Sequence, residues 1–428
     1  MTNTTNVSVI EAAPAVPASA NAIPSLRHNF AWTFAGSVLY AGCQWGMLSV
    51  LAKLGSTSIV GQFTLGLAIA APVFMFTNLQ LRVVQATDIR REHRFGDYFA
   101  VRLLTTLLGL TVVACILPFI HATPTVRAVI FLVAVAKSVE CMSDAIAGFL
   151  QREERLKLVA ISMMLRGVFS VLFFALAFAY FHNPALSVLA MSGVWFAVLM
   201  LYDVPNAKAA LAPGDGLFRF EGRQLWRVMM LGLPLGWVAT LVSLNTNIPR
   251  YFLQHYLGFA DQGIYASLAY LVVAINLIVT ALSVSVTTRL ASMFAEGARK
   301  QFVRLLLKLS MLGVLVIAVG VPLSLLVGRP LLTLLYRREY ADHVGLLAIL
   351  IAATGVSTIG SFLFCGITAA RSFRAQVPAY FAALLTGTAG AAFLIPRWGL
   401  MGAGIAVLIS ATTIMLGGVL VMRNVLRT

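Results

Sequence analysis

The chain has 428 residues, of which 60% are hydrophobic and only 11% charged, with a mean hydropathy of +0.91. No soluble globular class is so apolar, and solid apolar runs without alternating polarity exclude a membrane β-barrel. The formal charge of +16 lies between the apolar runs and not on one soluble face, which excludes a nucleic-acid-binding protein.

The uncharged runs predict transmembrane helices, because about 20 apolar residues cross a hydrocarbon core about 30 Å thick. We expect twelve spans in chain order, at about 29–52, 61–82, 99–120, 125–149, 158–181, 185–204, 227–248, 263–288, 305–327, 344–369, 377–395 and 401–422. The run 168–202 is too long for one span. The segment Phe181-His182-Asn183-Pro184 breaks it into a tight helical hairpin.

The cations predict the orientation. With the amino terminus inside, 23 of the 31 lysine and arginine residues fall on the inner side, as the positive-inside rule requires. Both termini are therefore expected in the cytoplasm. Residues 1–27 are rich in Ala, Thr, Asn and Pro and predict a disordered cytoplasmic tail.

An internal repeat predicts two similar halves. Segment 54–63, LGSTSIVGQF, resembles segment 257–265, LGFADQGIY, and each precedes an apolar span and a basic inner loop. The halves are residues 28–205 and 227–428, joined by a cytoplasmic linker at 206–226. Each half begins and ends inside, so the copies are parallel. The predicted fold class is an all-α polytopic membrane protein, with two six-helix lobes around a central cavity that opens alternately to each side.

These features resemble the multidrug/oligosaccharidyl-lipid/polysaccharide exporter superfamily. The repeated segments, the six-plus-six layout, the basic loops and segment 245–252, NTNIPRYF, are most similar to Wzx-type oligosaccharide flippases. The resemblance covers residues 30–423. It implies a MATE-like fold and a non-enzymatic flippase, which moves an undecaprenyl-pyrophosphate-linked oligosaccharide across the bacterial inner membrane for O-antigen, capsule or exopolysaccharide assembly.

The resemblance also implies partners and a site. The partners are the undecaprenyl-linked glycan, membrane lipids and the polysaccharide polymerase machinery, with no nucleic acid. The site is a cationic cavity lined in part by the first, second, seventh and eighth spans. No cofactor is expected. The chain has no Gly-Lys-Ser/Thr phosphate loop, and its six histidines lack ligand spacing, so neither ATP hydrolysis nor a metal site is predicted.

Arg250 is the leading candidate for binding the substrate. A pyrophosphate carries about two negative charges, and the planar guanidinium of arginine binds phosphate oxygens in pairs. Asn245 and Asn247 lie close by and are expected to hydrogen-bond sugar or phosphate. The alternative is an interfacial arginine that reaches out to lipid headgroups.

Lys137, Glu140 and Asp144 lie at i, i+3 and i+7 on one face of the fourth span. Charges at that depth are costly unless they face the bundle interior. One interpretation is a self-neutralising Lys137–Glu140 pair that only packs. The other is an ion-coupling site or a sugar contact.

Arg82, Arg289 and Arg166 are predicted near the inner ends of their spans. They suit a cytoplasmic mouth that captures an anionic headgroup, or they are ordinary positive-inside anchors.

Two other functions remain open. A cation-coupled multidrug antiporter of the same superfamily is favoured by Glu140 and Asp144, although the first span has no carboxylate. A membrane glycosyltransferase or polymerase needs catalytic acids on a sizeable outer loop, and the outer loops here are short.

Overall fold

The computed structural model describes residues 26–88, 92–212, 214–370 and 372–427, and these residues form helices and connecting turns without a β-strand. Residues 1–25 of the predicted tail lie outside this range. The α-helices, in chain order, are α1 Leu26–Leu54, α2 Thr57–Thr77, α3 Leu81–Thr87, α4 Phe95–Ile116, α5 Pro124–Arg152, α6 Leu156–Phe181, α7 Pro184–Val198, α8 Val204–Ala210, α9 Gly222–Tyr256, α10 Phe259–Leu271, α11 Val273–Ala295, α12 Arg299–Leu335, α13 Arg338–Ala341, α14 Val344–Ala369 and α15 Val377–Arg427.

These helices supply the twelve predicted crossings. Ten stretches of the described chain are long and apolar enough to span a membrane. One of them, Val377–Leu426, contains two helices that meet at Gly399, whose φ of 56° interrupts α15. The twelfth crossing is α5. It is not among the ten apolar stretches because it contains the charged residues Lys137, Glu140 and Asp144.

The predicted break between the fifth and sixth spans is confirmed. His182 ends α6 in the left-handed conformation, with φ 50°. Asn183 then caps α7, because its Oδ1 accepts a hydrogen bond from the N–H of Ala185 at 2.9 Å. Pro184 occupies the first turn of α7, where a missing N–H costs nothing.

The surface is that of a protein solvated by lipid. Large apolar side chains face outwards along the spans, and Leu201 and Leu326 are each 80% exposed. Soluble monomers rarely expose large contiguous apolar patches.

The helices form two lobes. In the first lobe α1 packs on α6, and α5 packs on α2, α4 and α7. In the second lobe α14 packs on α11, α12 and α15, and α15 packs on α9. The lobes meet mainly where α2 contacts α9 and α10.

The sequence repeat lies at this boundary. Gly61 and Gly263 lie in the second turns of α2 and α10, at matching places of the two repeated segments. A Cβ atom on Gly61 would overlap the carbonyl oxygen of Phe259, and one on Gly263 would overlap the carbonyl oxygen of Thr57. Only glycine lets the two backbones approach so closely.

Polar contacts also join the lobes on the side of the protein opposite Leu26 and Arg427, here called the far side. The indole N–H of Trp45 in the first lobe donates to the hydroxyl of Tyr336 in the second lobe at 2.8 Å, and Tyr336 in turn donates to the carbonyl of Ser267 of its own lobe at 3.0 Å. The guanidinium of Arg337 donates twice to the carbonyl of Lys53, at 2.6 and 3.2 Å. The lobes are therefore closed together on the far side.

On the side of Leu26 and Arg427, the irregular part of the predicted linker packs on the first lobe. The N–H of Arg219 donates to the carbonyl of Gly96 at 3.2 Å, and the ring of Phe218 lies 4.9 Å from that of Phe99. The linker is thus anchored at the start of α4.

Candidate functional site

A cavity of about 230 Å³ lies inside the second lobe, between α9, α10, α11, α14 and α15. Its wall is largely uncharged and carries hydroxyl and amide groups from Asn245, Asn276, Thr354 and Ser357. Arg250 is the one charged residue among the described residues that line it. We call it the second-lobe cavity.

The position of Arg250 is set by its own helix. Arg250 donates to Oδ1 of Asn247 at 3.1 Å, and the buried Asn247 in turn donates to the carbonyl of Ser243 at 2.8 Å. Both bonds run along α9, so they fix the direction of the guanidinium. Among the described residues, no carboxylate lies within ion-pair distance of Arg250. The cavity therefore presents an uncompensated positive charge, which favours an anionic ligand.

A second cavity, of about 350 Å³, lies in the first lobe and is called the first-lobe cavity. Helix α5 contributes Lys137, Glu140 and Asp144 to its wall, and the segment after α2 contributes Gln80 and Arg82. Two cations and two carboxylates line the cavity, and the buried Arg102 adds a third cation beside Asp144. The three charged positions predicted on one face of α5 do line one cavity.

Each carboxylate of this cavity is ion-paired. Lys137 Nζ lies 2.6 Å from Oε2 of Glu140, so the predicted pair is formed. Asp144 contacts two cations, with Arg82 at 3.1 Å and Arg102 at 3.4 Å. Arg102 is completely buried and also donates to the carbonyl of Asn78 at 2.9 Å. An unpaired charge at this depth would be strongly destabilising.

Tyr40 extends the network towards α6. Its hydroxyl donates to Oε1 of Glu140 at 2.7 Å, and the guanidinium of Arg166 lies 5.9 Å from the centre of its ring. Arg166 is buried, so this arginine is an internal cation of the first lobe and not a surface anchor.

A third cavity, of about 240 Å³, lies between the lobes and is lined by Trp45 of α1, Tyr270 of α10 and Leu277 of α11.

The structure separates the residues predicted to bind substrate. Arg250 and Asn245 line the second-lobe cavity, where Asn245 Oδ1 accepts a hydrogen bond from Ser410 at 2.8 Å. Asn247 supports Arg250 without lining the cavity. Arg82 belongs to the first-lobe cavity with the three charges of α5. Arg289 is exposed near the end of α11 and lines neither cavity.

Sequence reasoning assigned no site role to Arg102, Tyr40 and Tyr270. A signal was present for Arg102, because it lies within the predicted third span, where a lone cation requires a partner. Nothing local distinguishes Tyr40 or Tyr270 from other interfacial tyrosines. Their roles depend on which helices they face.

Comparisons with known proteins agree with this fold. A family model described as polysaccharide biosynthesis protein matches residues 26–288. The chain is 28% identical over 388 residues to the capsular polysaccharide biosynthesis protein CapF of Staphylococcus aureus, which covers 89% of this chain and 95% of CapF.

Two solved structures are similar in fold. The first is the MATE transporter VcmN of Vibrio cholerae, with a TM-score of 0.66, 14% identity, and coverage of 93% of this chain and 95% of VcmN. The second is an outward-facing multidrug resistance MATE family transporter of the MOP superfamily, with a TM-score of 0.59, 14% identity, and coverage of 94% and 97%. The predicted fold class, a MATE-like bundle of two lobes, is confirmed.

Proposed function

Because the chain belongs to the polysaccharide biosynthesis protein family and has a MATE transporter fold, we propose that it is a flippase for a lipid-linked oligosaccharide. Its substrate is a glycan on undecaprenyl pyrophosphate, which it moves from the cytoplasmic to the outer leaflet of the bacterial inner membrane. The product serves O-antigen, capsule or exopolysaccharide assembly, with the polysaccharide polymerase machinery as the partner that consumes it.

The observation that carries this proposal is the uncompensated charge of Arg250. A pyrophosphate cannot cross a dry apolar slab, because removing its charge from water costs far more than a transporter can supply. In the second-lobe cavity the guanidinium of Arg250 offsets part of that charge. Asn245 and the neighbouring hydroxyl groups offer hydrogen bonds to the phosphate oxygens or the adjoining sugar.

Alternating access supplies the path. We propose that the far side faces the periplasm, with both termini in the cytoplasm as the cation distribution predicts. The polar contacts of Tyr336 and Arg337 keep this side closed, while the substrate enters from the cytoplasmic side. Rocking of the two lobes then breaks these contacts and releases the substrate outwards.

The membrane potential favours this direction. A potential of 100 mV, negative inside, changes the free energy of one moved charge by about 2.3 kcal/mol. For a ligand with about two negative charges the potential therefore contributes about 5 kcal/mol outwards, without nucleotide hydrolysis.

The test is transport by the purified chain in liposomes. Undecaprenyl-pyrophosphate-linked oligosaccharide is placed in the inner leaflet, and its arrival outside is measured with a membrane-impermeant glycosidase. We expect transport faster than in protein-free liposomes, and deletion of the gene should trap the lipid-linked glycan in the inner leaflet. Equal rates with and without protein, together with unchanged surface polysaccharide in the deletion strain, would refute the proposal.

The second candidate is a cation-coupled multidrug antiporter, which the carboxylates of Glu140 and Asp144 favour. Both carboxylates already contact cations at 2.6 to 3.4 Å, which leaves less negative charge for an organic cation. Extrusion of ethidium that stops on substitution of Glu140 or Asp144 by the amide would support this candidate.

A further inference from the structure

The second-lobe cavity carries its charge at one end. Arg250 lies six residues before α9 ends at Tyr256 on the far side, a depth of about 9 Å at about 1.5 Å per residue. Its Nε is buried and has no hydrogen-bond partner among the described residues. No other lysine, arginine, aspartate or glutamate lines this cavity in the part of the chain that the structure describes. The positive charge therefore belongs to the far-side end of the cavity.

The uncharged polar groups lie deeper. Asn245 precedes Arg250 by five residues on α9, which places it about 7.5 Å further from the far side. Asn276 follows the start of α10 at Phe259 by 17 residues, so it lies about 25 Å from the far-side end along α10 and α11. This deeper part of the wall is called the inner end, and its polar residues include Asn245, Asn276, Thr354 and Ser357.

The inner end has unused hydrogen-bonding groups. The side-chain amide of Asn276 and the hydroxyl of Ser357 bond to no described residue. Asn245 uses its Oδ1 to accept a hydrogen bond from Ser410 at 2.8 Å, which leaves its amide N–H groups for a ligand. Thr354 donates to a carbonyl of its own helix at 2.8 Å, so its oxygen is left only to accept. The inner end thus offers both donors and acceptors.

This combination suits hydroxyl groups better than phosphate. An ionised phosphate oxygen only accepts hydrogen bonds, so the free acceptors of Asn276 and Thr354 would repel it, whereas a hydroxyl both donates and accepts. Val272, Val407 and Ile414 add apolar surface, which the C–H groups on the faces of a sugar ring can contact. A carboxylate at the inner end would be buried without a described cation beside it, at a considerable cost. The inner end therefore suits an uncharged sugar.

The order of these groups along the cavity matches the order of groups in a glycan pyrophosphate. We propose that the inner end of the second-lobe cavity binds the uncharged sugar residue that adjoins the pyrophosphate, while Arg250 binds the pyrophosphate. This inference rests on the proposed function. The separation of about 7.5 Å between Arg250 and Asn245 along α9 suits neighbouring groups of one molecule. The ligand then lies with its phosphates towards the far side, and Asn276 and Ser357 select an uncharged sugar over an acidic one.

The test compares three probes on the full chain in lipid nanodiscs. The first probe is undecaprenyl pyrophosphate, the second is the same carrier with one glucose, and the third is the carrier with one glucuronic acid. The two sugars differ only in the carboxylate of the third probe. We expect the unmodified chain to bind the glucose-bearing probe about tenfold more tightly than the glucuronate-bearing probe.

Two variants remove polar groups that no described residue uses. Asn276→Leu should weaken binding of the glucose-bearing probe about fivefold and Ser357→Ala about threefold, with less than a twofold change for the bare carrier. Arg250→Gln should weaken all three probes equally. The matched controls are Gln301→Leu and Ser361→Ala, at exposed side chains outside the cavity, and they should change no affinity. A cooperative thermal transition checks folding, and Ser357→Ala decides the matter if Asn276→Leu does not fold.

The outcomes are distinct. If the folded variants of Asn276 and Ser357 bind the glucose-bearing probe as the unmodified chain does, or lose the bare carrier equally, the sugar site is overturned. Dependence of the bare carrier on Arg250 would still support the proposed function. Equal affinity of the unmodified chain for the glucose-bearing and glucuronate-bearing probes overturns the selection of an uncharged sugar. If the unmodified chain binds no probe, the proposed function fails and the sugar site fails with it.

Discussion

Gly61 and Gly263 touch across the boundary between the lobes, and a Cβ atom on Gly263 would lie 2.8 Å from the backbone nitrogen of Gly61. The two glycines occupy matching positions of the internal repeat. The two similar halves therefore contact each other through equivalent positions of the repeat. Because the contact is between backbones, it tolerates no side chain, and it allows a sharp test of far-side closure.

Substitution of either glycine should open the far side. Gly61→Val forces the start of α2 away from α10, at the usual overpacking cost of about 1–3 kcal/mol, and the closed state loses that stability. In a chain whose four cysteines are replaced by alanine, a Ser357→Cys probe in the second-lobe cavity reports access. Labelling by an impermeant thiol reagent from the far side should rise about tenfold.

The control for this measurement is Gly193→Ala, because a Cβ atom on Gly193 meets no other atom within 4 Å. Its labelling should equal that of the parent. A folded Gly61→Val protein with unchanged labelling would show that this contact does not keep the far side closed.

Tyr336→Phe should loosen the same closure through polar contacts. The variant leaves the indole N–H of Trp45 without its acceptor across the lobe boundary, at a cost of about 1–3 kcal/mol. Spin labels at Leu54→Cys and Glu339→Cys should show a longer or broader distance distribution. Tyr180→Phe, at a tyrosine that is 81% exposed, is the matched control. Identical distributions in both variants would contradict a closing role for Tyr336.

Asp144→Asn should lower the stability of the first lobe. It leaves the completely buried Arg102 without a carboxylate, and breaking a buried pair costs about 3 kcal/mol or more. The comparison is Asp215→Asn, whose partner Arg94 is 61% exposed, and which should cost less than about 1 kcal/mol. Thermal unfolding in detergent measures both. If the two variants shift the midpoint of thermal unfolding by similar amounts, water must solvate the charge of Arg102 once its carboxylate partner is lost.

Arg250→Ala should abolish transport of the lipid-linked glycan while the protein remains folded in the membrane. Arg250→Lys keeps the charge but loses the planar fork, so it should restore only part of the rate. The liposome assay gives the rates, and Arg329→Ala, an exposed arginine outside both cavities, is the matched control. Full transport by Arg250→Ala would remove Arg250 from the substrate site.

Several features of the candidate site could be anticipated from the sequence. The common face of Lys137, Glu140 and Asp144 follows from helical spacing alone, and so does the Lys137–Glu140 pair, because residues three apart in a helix are neighbours. The break after Phe181 follows from His182, Asn183 and Pro184. These are local properties, which a helix determines without its neighbours.

Long-range relations could not be anticipated. Arg166 reads as an anchor at the inner end of a span, yet it is buried against Tyr40. Arg82 and Arg289 hold similar places in the two halves, but of these two arginines only Arg82 lines the first-lobe or the second-lobe cavity. The repeat predicts equal positions along the chain. It does not predict equal surroundings, because the two lobes pack different side chains against those positions.

The amino-acid sequence by itself determined that lipid surrounds the protein. It also determined the number of membrane crossings, the internal duplication and the family. The length of the apolar runs, the distribution of charge and the similarity of motifs depend only on the order of residues along the chain, so they do not depend on how the helices pack. Tertiary structure alone decided that no carboxylate of the described residues pairs with Arg250, while Asp144 faces both Arg82 and Arg102. The reason is that helix rotation and depth are set by contacts between helices, such as that of Gly61 with Gly263. Whether a charge is compensated or available to a ligand depends on those contacts.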